Sequence, residues 1–274
     1  MARIRNFYTL LLAFIIAGCS LLPDKIDETE GWSAQRFYNE ASAAMAEGDY
    51  EQAIKYYEGL ESRYPFGQYA MQAQIDVAYA YYKDGQPDAA IAAADRFIKL
   101  HPRNPYVDYA YYLKGLVNFD RNLGFIQRFV PTDTSQRDPN TTLNSFNDFA
   151  ELARRFPDSE YTQDARKRMI YLRNNLAMHE LHVARYYMKR RAYLAAANRA
   201  ITVIEKYQRT PAVKEALEIL LRAYDELGLD QLSDDAIRVL AANEQTGSLD
   251  IPVDEEEEES YGKRVWDYLE LDKN

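Results

Sequence analysis

The chain has 274 residues and one cysteine, so it holds no internal disulfide and no all-cysteine metal cage. Its formal net charge is −10, and most of that comes from the acidic residues between positions 250 and 259. An acidic chain without a clustered basic face lacks the electrostatic footprint of a nucleic-acid-binding protein, and we expect no nucleic-acid partner. A content of 23 tyrosines and 11 glycines favours a helical protein with aromatic packing.

The N-terminus has the pattern of an export signal. Arg3 and Arg5 form a short positive region, and an almost wholly apolar run follows at residues 7–17. A run of about eleven residues cannot cross ~30 Å of hydrocarbon as a helix, because each helical residue rises only ~1.5 Å. We therefore predict a secretory signal peptide at residues 1–18 that is removed after export.

The end of this segment predicts a lipid anchor. The residues IAGC at 16–19 resemble the bacterial lipobox, in which an aliphatic and two small residues precede an acylated cysteine. We predict cleavage before Cys19 and acylation of Cys19, which gives a strong membrane anchor; the alternative is a signal peptide with an incidental cysteine. Lipoproteins retained in the inner membrane typically carry Asp at the next position, so Ser20 indicates the outer membrane and its periplasmic face. Residues 19–31 lack helical periodicity and are predicted to form a lipidated tether.

An internal repeat organises the rest of the chain. Residues 41–65 (ASAAMAEGDYEQAIKYYEGLESRYP) align without gaps with residues 78–102 (AYAYYKDGQPDAAIAAADRFIKLHP), at an offset of 37. In each copy a glycine closes the turn between two helices and a proline ends the second helix. This pattern predicts an all-α fold, a tetratricopeptide-repeat superhelix of about five antiparallel helix pairs. The copies are divergent, because Leu60 and Phe97 stand where the consensus has alanine.

The repeats divide the chain into segments. Repeats 1 and 2 occupy residues 32–105, and repeat 3 occupies residues 106–159. A stretch with glycine and two prolines predicts a loop insertion at residues 120–140 within repeat 3. Repeats 4 and 5 occupy residues 160–244, and the first helix of repeat 4 is elongated because residues 161–191 contain no glycine or proline.

The acidic C-terminal tail at residues 245–274 follows the last repeat. Its five consecutive glutamates are expected to stay solvated. Beyond them, Val265, Trp266, Tyr268, Leu269 and Leu271 have a spacing that allows a short amphipathic helix. Such a helix would dock either on this chain or on another.

No motif in the chain points to catalysis. There is no nucleophile elbow, no phosphate-binding glycine-rich loop and no pair of cysteines. His179 and His182 are three residues apart, whereas a zinc-protease helix needs a separation of four. No third ligand is indicated, so two partly exposed helix histidines are favoured over a metal site. We expect a non-enzymatic protein with no cofactor.

Five short motifs go beyond the generic repeat consensus. They are RYPFGQY at 63–69, AYYKDG at 80–85, DRFIKLHP at 95–102, DYAYYLKGL at 108–116 and RDP at 137–139. Together with the lipobox they resemble the BamD family, the tetratricopeptide lipoproteins of the β-barrel assembly machinery. The resemblance runs from Cys19 to about Asn243. The acidic tail departs from the compact ending of that family and inherits no role.

The resemblance implies a periplasmic scaffold with two working halves. The N-terminal repeats would recognise the C-terminal signals of unfolded outer membrane proteins and would receive an extended segment of another lipoprotein subunit. The C-terminal repeats would dock the last periplasmic domain of the barrel subunit, with Arg199 as the candidate contact, since arginine is enriched at interface hot spots. A basic, aromatic groove suits a peptide that ends in phenylalanine and a carboxylate. The candidate substrate-binding residues are Arg63, Phe66, Gln68, Tyr69, Tyr81 and Arg96.

Two other classes of protein remain possible at this stage. Another repeat lipoprotein, such as a secretin pilotin or a regulator of cell-wall synthesis, would share the lipobox and the repeats. It would lack the RYPFGQY motif and the insertion that carries residues 137–139. An enzyme with a helical superhelix would need a separate catalytic domain, and five repeats leave no room for one.

Overall fold

The computed structural model of this protein describes residues 28–127, 135, 138–247 and 249, with the backbone alone described at 122–127. The predicted signal peptide, Cys19, most of the tether and nearly all of the acidic tail lie outside these residues. Within the described ranges the regular secondary structure is entirely helical. The helices are α1 (Ala34–Glu47), α2 (Tyr50–Arg63), α3 (Gln68–Lys83), α4 (Pro87–Leu100), α5 (Val107–Gln127), α6 (Pro139–Arg155), α7 (Thr162–Lys189), α8 (Tyr193–Lys206), α9 (Ala212–Glu226) and α10 (Asp230–Gln245).

The helices form five consecutive pairs, from α1 with α2 to α9 with α10. Each helix packs chiefly against its neighbours along the chain, and α7 also contacts α9. α7 is the elongated first helix of repeat 4, with 28 residues. The prediction of an all-α repeat protein with five helix pairs is confirmed.

Local sequence explains where the first repeats turn. Ser33 caps α1 by accepting a hydrogen bond from the backbone N–H of Arg36, and Asp49 caps α2 in the same way. Gly48 and Gly85 are equivalent in the repeat, and both adopt a positive φ, of 79° and 74°. Glycine reaches this left-handed conformation without a steric penalty, so it closes the turn between the two helices of each pair.

Two bulky side chains fill the core at the consensus alanine position. Leu60 is fully buried, and Phe97 is 1% exposed. Phe97 packs with Ile75 of α3 and Ala110 of α5, so it joins the second repeat to the third. The sequence departs from the repeat consensus here because the space between the helices is larger than alanine would fill.

The third repeat departs from the sequence prediction. A loop is predicted at residues 120–140, but α5 continues to Gln127 and α6 begins at Pro139. Gly124 lies within α5, and a single helical glycine costs only about 1 kcal/mol relative to alanine, so it does not end the helix. The predicted loop is therefore wrong for residues 120–127 and 139–140. The last two residues of the RDP motif begin α6, where Asp138 is the N-cap and Pro139 the first helical residue, and Arg137 lies outside the described residues.

One residue of the insertion is held against α7. Ser135 is buried, its carbonyl oxygen lies 2.9 Å from His179 Nδ1, and its Oγ lies 2.8 Å from His182 Nε2. Both histidines are partly exposed, as the sequence predicts. Their separation of three places them on one face of α7, where together they bind a single residue of the insertion.

Candidate partner-binding surfaces

The most exposed large hydrophobic side chain of the described residues is Phe66, at 89%. It stands in the turn between α2 and α3, after Pro65 and before Gly67, whose φ of 106° turns the chain into α3. Because Pro65 and Gly67 flank it, Phe66 belongs to neither helix, and its ring is exposed to solvent. A large aromatic ring held in this way is suited to contact with a partner.

Further exposed apolar side chains lie on the turns between repeats or in the adjoining ends of the helices. We call Tyr64, Phe66, Met71, Leu100 and Tyr106 the turn surface. The two turns that carry them are in contact, because Asn104 Nδ2 lies 3.0 Å from Met71 Sδ. Clustered exposed apolar groups mark interaction sites more often than single ones do.

Arg63 holds the beginning of the described chain against this turn. Its Nη1 donates to the carbonyl oxygen of Thr29, and its guanidinium lies 5.2 Å from the centre of the Phe37 ring. Next to it, the Tyr64 hydroxyl donates to the Trp32 carbonyl oxygen at 2.7 Å. The chain that leads back toward Cys19 therefore departs from beside the turn surface.

Gln68 and Tyr69 complete the N-terminal group of predicted site residues. Gln68 is the exposed first residue of α3. Tyr69 is partly buried, and its ring centre lies 5.6 Å from that of Tyr38 on α1. The structure thus gathers Arg63, Phe66, Gln68 and Tyr69 at one turn.

Tyr81 and Arg96 form a second group. Tyr81 lies twelve residues along α3 from Tyr69, a rise of about 18 Å. Its hydroxyl donates to Glu58 Oε1, while Arg96 Nη2 lies 2.9 Å from Glu61 Oε2. Burial, and then the bond to Glu58, raises the pKa of Tyr81 to about 12. Two carboxylates of α2 therefore lie beside Tyr81 and Arg96. The charge of this region is mixed, whereas the sequence predicts a basic groove.

Arg199 stands on the outer side of α8. Its Nη1 lies 2.9 Å from Glu180 Oε2 of α7, and the two side chains are 44% and 16% exposed. The hydrogen bond that Arg199 donates to the Glu180 carboxylate raises the pKa of Arg199 above its ordinary value. Ala196 and Ala200, which flank it in sequence, are fully buried in the core. The guanidinium is thus held in one direction while it remains accessible.

A cleft on α9 was not indicated by any sequence motif. It has a volume of about 360 Å³ and is lined by Pro211, Lys214, Glu215, Glu218, Ile219 and Arg222. Arg185 of α7 binds both carboxylate oxygens of Glu215, and Lys214 Nζ lies 3.0 Å from Glu244 Oε1 of α10. The only available signal was the recurrence of charged residues three and four apart, which is common on exposed helices.

The described residues include no helix that is both long and apolar enough to span a membrane. They also contain no group of three or more histidine, cysteine, aspartate or glutamate side chains placed to hold a metal ion.

Comparisons with known proteins identify relatives along most of the chain. The YfiO family model, described as an outer membrane lipoprotein, matches residues 31–239. Outer membrane protein assembly factor BamD of Neisseria meningitidis is 48% identical over 215 residues, which cover 78% of this chain and 80% of the relative. BamD of Vibrio cholerae is 37% identical over 220 residues, covering 80% and 90%. Among solved structures, MamA aligns with 80% of this chain and 97% of its own at 16% identity and a TM-score of 0.31.

Proposed function

This chain belongs to the YfiO family of outer membrane lipoproteins, whose curated relatives are named outer membrane protein assembly factor BamD, and on that basis we propose that it is a subunit of an outer membrane protein assembly machinery. It acts as a non-catalytic scaffold that recognises unfolded outer membrane proteins and docks the barrel subunit. The family match at residues 31–239 carries this proposal, because it includes both the turn surface and Arg199. A secretin pilotin or a cell-wall regulator is not favoured.

Acylation of Cys19 would hold the scaffold at the periplasmic face of the outer membrane. The contacts of Arg63 and Tyr64 with residues 29 and 32 support a position near the membrane, because they fix the chain a short distance in sequence from Cys19. Ten residues separate Cys19 from Thr29, and at 3.3–3.6 Å per residue they reach about 35 Å at most. The turn surface would therefore stay close to the membrane into which barrels are inserted.

The turn surface would bind the apolar and aromatic C-terminal signals of unfolded barrels. Phe66 is the anchor, with Arg63, Gln68 and Tyr69 beside it, while Tyr81 and Arg96 form a second contact region farther along α3. The same N-terminal half would receive a segment of another lipoprotein subunit. Arg199 and the α9 cleft would face the last periplasmic domain of the barrel subunit.

Phe66→Asp should weaken binding of a peptide that copies the last strand of a porin by about 10- to 100-fold. Burying a phenylalanine side chain contributes ~1.5–3 kcal/mol, and each 1.4 kcal/mol corresponds to tenfold in affinity. Fluorescence anisotropy of the labelled peptide measures the effect. The matched control is Leu194→Asp, which changes another exposed apolar side chain, on α8, and should leave the affinity unaltered. Equal binding by the Phe66→Asp variant would remove this residue from the substrate site.

Arg199→Glu should abolish capture of the barrel subunit in a pull-down with its last periplasmic domain. The change replaces the accessible cation with an anion beside Glu180, and it should cost the interface at least tenfold in affinity. Circular dichroism should first establish that the variant is folded, because Glu180 is only 16% exposed and the change places a second carboxylate beside it. Arg166→Glu, at an exposed position of α7, is the control. If both variants still capture the domain, Arg199 is not part of the docking contact.

A further inference from the structure

The two edges of the first two repeats differ in charge. In an array of antiparallel helix pairs, the turns within repeats lie at one edge and the turns between repeats lie at the opposite edge. The turns within repeats 1 and 2, at residues 47–51 and 83–88, contain five carboxylates and one lysine. The turns between repeats, at residues 62–72 and 97–107, contain three arginine or lysine residues and no aspartate or glutamate. The N-terminal half of the array therefore has one acidic edge and one basic edge.

The second turn of the basic edge, at residues 99–106, exposes apolar and basic side chains together. Leu100 is 56% exposed and Tyr106 is 53% exposed, and Lys99 and Arg103 are exposed as well. No ion pair within the described ranges includes either cation. None of these four residues is among the predicted substrate-binding residues, so that site does not explain their exposure.

Asn104 holds this turn in one conformation. Its backbone N–H donates to the His101 carbonyl oxygen at 3.0 Å, and its Oδ1 accepts from the backbone N–H of Tyr106 at 2.8 Å. Its Nδ2 lies 3.0 Å from Met71 Sδ, and His101 Nε2 lies 2.7 Å from Gln74 Oε1, so both residues are bound to α3. The exposed side chains therefore project from an ordered turn, and docking on a partner costs little further backbone entropy.

We propose that residues 99–106 form a lipid-binding surface that docks on a bilayer with anionic headgroups. Lys99 and Arg103 bind the headgroup phosphates, while the side chains of Leu100 and Tyr106 enter the interfacial region of the bilayer. Tyrosine suits this region because its ring is apolar and its hydroxyl reaches water. Peripheral membrane binding of this kind combines the burial of apolar area with attraction to anionic lipids.

The charge difference between the two edges favours a bilayer as the occupant. A negatively charged surface attracts the basic edge and repels the acidic edge, so it orients the turns between repeats toward the lipid. The chain that leads back toward residue 19 departs from the same edge, because Arg63 and Tyr64 bind the carbonyl oxygens of Thr29 and Trp32. A bilayer also accepts a protruding turn without a complementary pocket, which a folded partner would have to supply.

Vesicle sedimentation tests the contact in the mature chain with Cys19→Ser, which carries no acyl group. This parent chain should bind vesicles of phosphatidylethanolamine and phosphatidylglycerol, and it should bind phosphatidylcholine vesicles more weakly. Lys99→Glu combined with Arg103→Glu should weaken binding to the anionic vesicles at least tenfold, because each cation near an anionic leaflet contributes about fivefold in affinity. The inference rests neither on the proposed assembly function nor on acylation of Cys19.

Lys189→Glu combined with Arg190→Glu is the matched control. Both residues are exposed, and they lie at the turn within repeat 4, on the opposite edge of the array. The net charge changes by the same amount, but binding should stay within about twofold of the parent chain, because charges far from the contact are screened. Equal losses by the two double variants would show a general effect of charge and overturn the proposal. Absence of vesicle binding by the parent chain would overturn it as well.

The porin peptide separates this inference from the proposed function. Its affinity, measured by fluorescence anisotropy, should be the same for the parent chain and for the Lys99→Glu, Arg103→Glu variant. If that variant loses the peptide and the parent chain binds no vesicles, the two cations belong to a peptide site and the proposal is wrong, whereas the assembly function stands. If the parent chain binds vesicles but no peptide, the proposed assembly function fails and this inference stands.

A polarity-sensitive dye locates the contact on the chain. NBD attached to Leu100→Cys, in the Cys19→Ser background, puts an apolar probe in place of an apolar side chain. Its emission should move to shorter wavelength when the anionic vesicles are added. The same dye attached to Asp84→Cys, which is exposed on the acidic edge, should keep its emission. Equal responses at the two positions, or no response at position 100, would overturn the proposal.

Discussion

Phe97→Ala is expected to lower the free energy of unfolding by about 3–5 kcal/mol, although it restores the residue that the repeat consensus prefers. Removal of a buried phenylalanine side chain loses its transfer free energy and leaves a cavity that the surroundings fill only in part. Phe97 is 1% exposed and packs against Ile75 and Ala110, so the cavity would open at the joint between the second and third repeats. Urea denaturation followed by circular dichroism measures the change.

Leu100→Ala is the matched control for this prediction. Leu100 lies three residues farther along α4 and is 56% exposed, so its truncation should cost less than about 1 kcal/mol. If both variants lose the same small amount of stability, the helices around Phe97 close on the smaller side chain and the assignment of a structural role to Phe97 is wrong.

Gly115→Ala is expected to destabilise the third repeat by about 1–2 kcal/mol. A Cβ at this position of α5 would come closer than 3.0 Å to three ring carbons of Phe149, which is fully buried in α6. Overpacking of this kind costs ~1–3 kcal/mol, and the higher helix propensity of alanine returns only ~0.5–1 kcal/mol of it. The same denaturation experiment measures the difference.

Two further variants make the Gly115 result specific. Gly59→Ala places its Cβ at 3.0 Å from one ring carbon of Phe37 and at 3.6 Å or more from the others, so we expect a change of less than about 1 kcal/mol. Phe149→Leu should relieve the clash, so the double variant with Gly115→Ala should be more stable than the sum of the single changes predicts. Additive effects would show that Gly115 and Phe149 do not oppose each other.

Most of the fold could be predicted from the sequence because glycine and proline recur at fixed positions of the repeat and mark the ends of its helices. The 37-residue offset that relates Gly48 to Gly85 predicts the turns, and the absence of glycine and proline from 161–191 predicts the long α7. The loop insertion was harder to delimit, because Gly124 is only weakly unfavourable in a helix and the apolar residues around it suit either state. The binding of Ser135 by His179 and His182 spans more than forty residues, and no local pattern encodes such a contact.

The candidate site was less predictable than the fold. The residue types in RYPFGQY indicate an exposed aromatic turn, and Phe66 has that exposure. Charge at the second contact region depends on which side chains face each other across helices. Arg96 predicts a basic groove when it is taken alone, but Glu61 neutralises it from the preceding repeat, 35 residues earlier. The α9 cleft could not be predicted, because it depends on the spacing between helices, which residue types alone do not determine.

The glycine–phenylalanine contacts limit how the repeats can be recombined. In the first repeat the phenylalanine lies on the first helix and the glycine on the second, whereas in the third repeat this arrangement is reversed. α6 contains no glycine that could receive Phe37, and α1 contains none that could receive Phe149. The individual helices of the two repeats are therefore not exchangeable. A chimera that joined the first helix of one repeat to the second helix of the other would need a compensating change at this contact, so the pairing of helices within a repeat is constrained by individual side chains.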